Sequence, residues 1–405
     1  MDSGTILVIG SCLVIGFHLM DLLAHRLRIP SVVLLLAAGM ATRQILDVVY
    51  PGTHLPGELL QGLGAVGLAL IVLEGSMGLE WKPGSGSVFL RAAISALGGI
   101  LIFLVVAAPL LHWIFELSWK TAILHALPLS VISSAIAIPS ASRLAVKARE
   151  FISVESSLSD IAGVLLFNAV ILPGGLGLGT FWAMGWRSIA VIAASTLLIA
   201  LLLRMLRSGS HHIRFVPILA ILILFYAVGK QVHLPSLLLV FLFGIAFANM
   251  RLLPYGDLRE IFVRPEFESD ALLLRTLVAE SAFLARTFFF FLFGYSMDFS
   301  TLLHPLPWLL GGAFLGAIYL GRHLLLLAVW EGPSRQILSI APRGLITVLL
   351  MGMVPGHLLV GEVATGPVLV VILGTTLAQL LGGKEIVDAA GNPSEDPTRS
   401  AQERT

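Results

Sequence analysis

Charge is scarce in this chain. Only 12% of its 405 residues are charged, against about 25% in a typical soluble domain, while 57% are hydrophobic. Mean hydropathy is +0.95, which excludes an ordinary soluble domain and makes this a polytopic membrane protein. Net sign is lacking too: 25 Lys plus Arg stand against 24 Asp plus Glu, so nothing points to nucleic acid. The single cysteine, Cys12, excludes an intrachain disulfide and any cysteine-based metal site. Ile9-Gly10-Ser11-Cys12 faintly matches a lipoprotein cleavage site, but no basic stretch precedes it, so the first segment reads as uncleaved. The spans contain no His-Glu-x-x-His, no paired-aspartate motif and no serine partner for His18, His125 or His323, so no enzyme is expected.

What the chain has is long apolar runs. Thirteen are long enough to span a bilayer, at 4–24, 30–48, 58–79, 88–113, 119–141, 154–173, 184–206, 213–229, 235–250, 280–297, 305–330, 335–355 and 362–382. Residues 1–382 thus form one transmembrane domain, and 383–405 read as a disordered polar tail. An odd number of spans puts the termini on opposite sides. With the N-terminus outside, eighteen Lys and Arg fall in inner segments and four, Arg43, Lys120, Arg187 and Lys230, in outer ones. Three remain within spans: Arg286, Arg322 and Arg343. The short tail and the lack of a transit peptide lead us to expect a bacterial inner membrane with the C-terminus cytoplasmic.

Two spans carry interruptions. The fifth contains Ser133-Ser134-Ala135-Ile136-Ala137-Ile138-Pro139-Ser140, in which proline removes a helix hydrogen bond and hydroxyls can re-satisfy freed carbonyls. A broken helix or a simple proline kink both fit that segment taken alone. The twelfth contains Ser339-Ile340-Ala341-Pro342-Arg343-Gly344. Pairing spans 1–6 with spans 8–13 sets one interruption opposite the other, as expected of two inverted repeats whose discontinuous helices hold an ion near the midplane. The expected fold is therefore all-α, with about thirteen transmembrane helices and broken spans 5 and 12.

The sixth span holds the most expensive residues. Glu155-Ser156-Ser157-Leu158-Ser159-Asp160 places two carboxylates in an apolar segment, and an ionisable group there is by default a functional candidate. At about 100° per residue, Ser156, Asp160 and Gly163 share one helix face. Asp160 and Arg343 each lie about 12–14 Å in from the cytoplasmic side, near the centre of a ~30 Å core. They are therefore able to pair, and Glu155, about 7 Å nearer the cytoplasm, is also within reach of the Arg343 guanidinium.

Other features are less specific. Glu74, with Glu80, closes the third span as either a solvated rim or a point of cation access. Arg286 with Asp298, and Arg322 with His323, read as core-facing polar pairing. His211-His212 reads as a solvated basic face. Gly174-Gly175-Leu176-Gly177-Leu178-Gly179 follows a membrane helix instead of a strand and is a turn, not a phosphate loop. Residues 251–280 mix leucines with charges and suggest an amphipathic helix at the inner interface.

The sixth-span stretch resembles the Glu-Ser-x-x-Asn-Asp signature of the monovalent cation:proton antiporter superfamily, the sodium/proton exchangers. Ile340-Ala341-Pro342-Arg343-Gly344 is similar to that family's Gly-x-Arg-Gly-Ala segment, and Leu73-Glu74-Gly75-Ser76-Met77-Gly78-Leu79 to its Leu-Glu-Gly-Leu-Glu-Leu stretch. The resemblance implies a secondary transporter exchanging Na⁺ or K⁺ for H⁺; the alternative is a cation channel or uniporter on the same fold. It implies Asp160 as the carboxylate that binds cation or proton, Ser133 and Ser134 near the ion, and Glu155 as structural partner of Arg343. The expected binding set is Asp160 with Ser159, Ser156, Ser133 and Ser134, and no cofactor. It also implies a mobile core from 88–173 and 305–382, dimerisation through the other spans, and an elevator-like movement. Two departures stand out: the family's Thr-Asp-Pro is replaced by a segment without an acid, and Ser159 precedes the aspartate in place of Asn or Asp. Counting titratable groups, with Arg343 permanently charged, the exchange is expected to be one-for-one and electroneutral.

Overall fold

The computed structural model describes residues 3–27, 29–49, 57–79, 86–171, 215–231, 236–249, 265–297, 299–330 and 335–390, with short pieces between 185 and 196. The described residues contain helices and no strand. In chain order the helices are α1 (Ser3–Leu27), α2 (Ser31–Val49), α3 (Gly57–Met77), α4 (Gly86–Phe115), α5 (Trp119–Ser130), α6 (Ser134–Ser140) and α7 (Val146–Ile171). They continue with α8 (Phe215–Gln231), α9 (Ser236–Ala248), α10 (Pro265–Ser296), α11 (Pro305–Val329), α12 (Arg335–Ser339), α13 (Leu345–Gly352), α14 (Gly361–Ala364) and α15 (Gly366–Ala390). Among these residues seven segments are long and apolar enough to cross a membrane, and three more apolar helices are shorter. Only those short pieces of the expected seventh span are described, and the glycine-rich turn, His211-His212, Glu80 and Asp298 lie outside the described residues.

The helices gather into two groups. In one, α10 packs along α2 and α3, and α9 packs on α3. Backbones approach closely there because small residues face them. A Cβ on Gly39 would collide with the backbone of Phe291 and Tyr295, and one on Gly294 with the backbone of Leu36. In the other group, α4 packs on α7, α5 and α11, and α15 packs on α11. Gly98 lies against Leu325, and Gly321 against Ile102, so α4 and α11 run antiparallel. The short helices α6 and α13 touch α3 as well as members of the second group, and so sit where the two meet.

That antiparallel pairing brings the end of α4, the start of α5 and the start of α11 to one rim. Exposed Trp113, Trp119 and Trp308 occupy it, with the His112 ring stacked on Trp119 at 4.3 Å. Amphipathic rings in this arrangement suit the level of lipid headgroups.

Three boundaries differ from expectation. α7 begins at Val146, eight residues before the expected start of the span at 154. The amphipathic segment expected on the interface is, from Pro265 onward, the first part of α10. Its Leu274 and Val278 are buried one turn apart in line with Ala282, while Leu272, Leu273 and Leu277 are exposed. The helical period simply continues into the apolar run. Finally, α15 runs on to Ala390, through residues expected to begin the tail.

Candidate functional site

Two breaks meet at the centre. α5 ends at Ser130, Val131 and Ser133 are extended, and α6 begins at Ser134. On the other chain segment α12 ends at Ser339 and α13 begins at Leu345. The extended pieces join directly: the Ser133 N–H donates to the Pro342 carbonyl at 2.8 Å. Proline and glycine permit this crossing for separate reasons. Pro342 has no N–H to lose, and a Cβ on Gly344 would lie 2.7 Å from the Ile136 side chain and 3.2 Å from Ser133 Oγ.

Asp160 of α7 faces the first break and is 3% exposed. Its Oδ2 accepts from the Ser134 N–H at 3.2 Å and from Ser134 Oγ at 2.5 Å. Its Oδ1 is buried without a protein partner, as are Ser133 Oγ, Ser157 Oγ and Thr347 Oγ1. Buried polar atoms are almost always satisfied, which makes Asp160 Oδ1 a candidate point for a further ligand. Ser159 Oγ accepts from the Ile132 N–H at 3.0 Å and ties α7 to the break. Ser156 shares the face of Asp160, but its hydroxyl donates back to Ile152 O at 2.8 Å. Gly163 lies under Val131, with no room for a Cβ.

Arg343 does not pair with Glu155. Its guanidinium donates to the Leu129 carbonyl at 2.9 Å, the Ser130 carbonyl at 3.1 Å and the Ala341 carbonyl at 2.7 Å. Ending a helix inside the protein orphans its last carbonyls, and Arg343, sitting in the opposite break, satisfies those of α5. Its own N–H donates to Thr375 Oγ1 at 3.1 Å. Glu155 is taken by Arg322 of α11 instead, Nη1 to Oε1 at 2.8 Å and Nη2 to Oε2 at 2.9 Å. Ser95 Oγ of α4 donates to the same Oε1 at 2.5 Å. Arg322 also donates to Ile337 O, at the end of α12, from Nε at 3.2 Å and Nη2 at 3.0 Å. The two arginines are thus divided between the two breaks. A cavity of about 20 Å³, bounded by Ser95, Ser130, Ser159, Arg322 and Arg343, separates them.

A larger cavity of about 580 Å³ reaches Ser134. Glu74, Ser134, Ala135, Pro139, Asn249 and Arg286 line it, with Arg149 and Glu150 of α7. Glu74 therefore shares this cavity with the residue that holds Asp160. Arg286 donates from Nη1 to the Ala135 carbonyl at 3.1 Å. His125, which the sequence leaves without a role, is fully buried: Nδ1 lies 2.9 Å from Thr121 O, and the Val360 N–H donates to Nε2 at 3.0 Å.

Sequence reading located Asp160, Ser133, Ser134 and Ser159 at one place. It missed Ser95, Thr375 and the roles of Arg322 and Arg286. The two arginines had a visible signal, being two of the three basic residues within spans; the hydroxyls had none. Carboxylate, hydroxyl and carbonyl oxygens, the groups found here, are the donors that hard cations take. Among the described residues no three His, Cys, Asp or Glu side chains converge.

The family model described as sodium/hydrogen exchanger, transmembrane, matches residues 11–386. Among solved structures, the sodium proton antiporter MjNhaP1 from Methanocaldococcus jannaschii at pH 8 is similar, with a TM-score of 0.70 and 18% identity over 94% of this chain and 97% of that one. An electron-microscopy map of the same antiporter gives a TM-score of 0.68 and 18% identity over 98% of this chain and 100% of that one. Among curated proteins no sequence matches.

Proposed function

The chain belongs to the sodium/hydrogen exchanger family, and from that premise we propose that it exchanges one Na⁺ or K⁺ for one H⁺ by competition at Asp160. The observation that carries this is the divided state of the carboxylate: Oδ2 is held by Ser134, while buried Oδ1 has no protein partner. A carboxylate so placed can take a proton or a cation, and either leaves the site with the same charge. Ser133 and Ser134 at the break, with Ser159 and Ser156 on α7, complete the proposed binding set. Glu74 at the large cavity is the proposed access point.

Glu155 is not a second proton site in this reading. Both of its oxygens are occupied by Arg322, and Oε1 by Ser95 as well. Arg343 stays charged at ordinary pH and carries no proton. One group alternates, so no net charge moves.

The packing of α4, α5, α7, α11 and α15 into one group supports a mobile core built from 88–173 and 305–382, with dimerisation through the remaining helices. The charge bias of the sequence supports an outside N-terminus and a cytoplasmic C-terminus. MjNhaP1, similar in fold, is a sodium proton antiporter, which supports Na⁺ as one cargo. The test is dissipation of an imposed pH gradient in proteoliposomes on addition of Na⁺, K⁺ or Li⁺ in turn. Dissipation by at least one cation, lost in Asp160→Asn, is expected. Cation uptake that needs no opposite proton movement would overturn exchange.

A further inference from the structure

Pro139 lies within α6. A helix carbonyl is normally satisfied by the N–H four residues on, and for Ala135 that residue is Pro139, which has none. The carbonyl freed in this way belongs to a residue that lines the large cavity, next to Ser134. Arg286 of α10 fills the gap, donating to Ala135 O at 3.1 Å. Arg286 lines the same cavity as Glu74. A positive side chain in this position is costly for a protein that draws cations through the cavity, because it repels them.

We infer that the Ala135 carbonyl and the Glu74 carboxylate form an access site for a monovalent cation, and that Arg286 is a tethered competitor for it. The inference rests on the exchanger reading above. A partly dehydrated alkali ion takes carbonyl and carboxylate oxygens; Arg286 now holds the first of these, on Ala135, and lines the same cavity as the second, on Glu74. Arrival of the ion displaces the guanidinium toward the hydrated part of the cavity, and passage of the ion to Asp160 lets it return. Arg286 thereby sets the cation concentration at which transport starts without touching Asp160. It is a positioning residue that acts through access.

The experiment measures Na⁺-dependent exchange in proteoliposomes together with equilibrium ²²Na⁺ binding to the purified protein. Arg286→Ala is expected to lower KM for Na⁺ roughly tenfold, the scale of removing one unit charge a few ångströms away in a partly hydrated site. Maximal rate is expected to stay within about twofold. Arg286→Lys keeps the charge and a donor and is expected to hold KM near that of wild type. Free guanidinium ion added to Arg286→Ala is expected to raise KM again by competition, a response that a purely structural role would not produce. Pro139→Ala supplies the missing N–H to Ala135 O, so the double variant is expected to lose the gain in affinity. Should Arg286→Ala aggregate in detergent, Arg286→Gln carries the same expectation. An unchanged or raised KM in the folded variant overturns the competitor, and a gain that persists with Pro139→Ala overturns the carbonyl as a ligand. Wild-type protein with no exchange at all would instead end the reading on which this one rests.

Discussion

Arg322 holds both carboxylate oxygens of Glu155, at 2.8 and 2.9 Å, although Arg343 is the arginine in the interrupted span. The pair is buried on both sides, and Arg322 ties it to the last carbonyl region of α12 through Ile337. It therefore joins α4, α7, α11 and α12, and its role is to fix the scaffold around the breaks.

Arg322→Ala leaves Glu155 buried and uncompensated, which costs about 3–5 kcal/mol for pairs of this kind. A large drop in melting temperature in detergent is expected, with substantial recovery in the double variant Arg322→Ala, Glu155→Ala. Arg343→Ala is also expected to destabilise, by orphaning the Leu129, Ser130 and Ala341 carbonyls, but Glu155→Ala should give it no recovery. Recovery with Arg343 and none with Arg322 would reverse the assignment.

Asp160→Asn keeps the shape and the ability to accept from Ser134, while an amide cannot alternate between proton and cation. The variant is expected to elute like wild type in size-exclusion chromatography and to show no cation-dependent proton movement. Residual exchange above the level of empty vesicles would remove Asp160 from the transport step.

Electroneutrality is open to a direct electrical test. Moving one net charge is worth about 2.3 kcal/mol per 100 mV, so a charge-moving exchanger would respond strongly to an imposed potential. With the pH gradient clamped, a valinomycin-set potential is expected to leave the steady-state Na⁺ gradient unchanged. Accumulation driven by the potential would mean that a second group titrates.

Thr375 supports the second break from α15 by accepting the Arg343 N–H at 3.1 Å. Thr375→Val preserves shape and removes the acceptor, leaving a buried N–H unsatisfied at a cost of about 1–3 kcal/mol. A lowered melting temperature is expected, together with a slower maximal rate and an unchanged KM for cation. A change confined to KM would place Thr375 at the ion instead of at the backbone it supports.

The membrane class and the candidacy of Asp160 were legible in the chain alone, as was the proline in spans 5 and 12, although in span 5 the break lies at 131–133 and Pro139 stands inside α6. Each depends on local properties: an apolar run has to cross lipid, proline lacks an N–H wherever it stands, and a carboxylate within such a run is expensive whatever surrounds it. Partner choice was not legible in the same way. Depth along a helix left Glu155 within reach of Arg343, but depth carries no information on which way a helix is turned or on which carbonyls a break has orphaned. Folding turned Arg322 toward Glu155 and gave Arg343 the open carbonyls of α5. It likewise set Arg286, from a helix remote in sequence, on the carbonyl that Pro139 had freed. The sequence alone determined that a proline would free a carbonyl, as Pro139 frees that of Ala135; only the tertiary structure decided where the helices break and which side chains satisfy the carbonyls left open, because that depends on helices brought together across the whole chain.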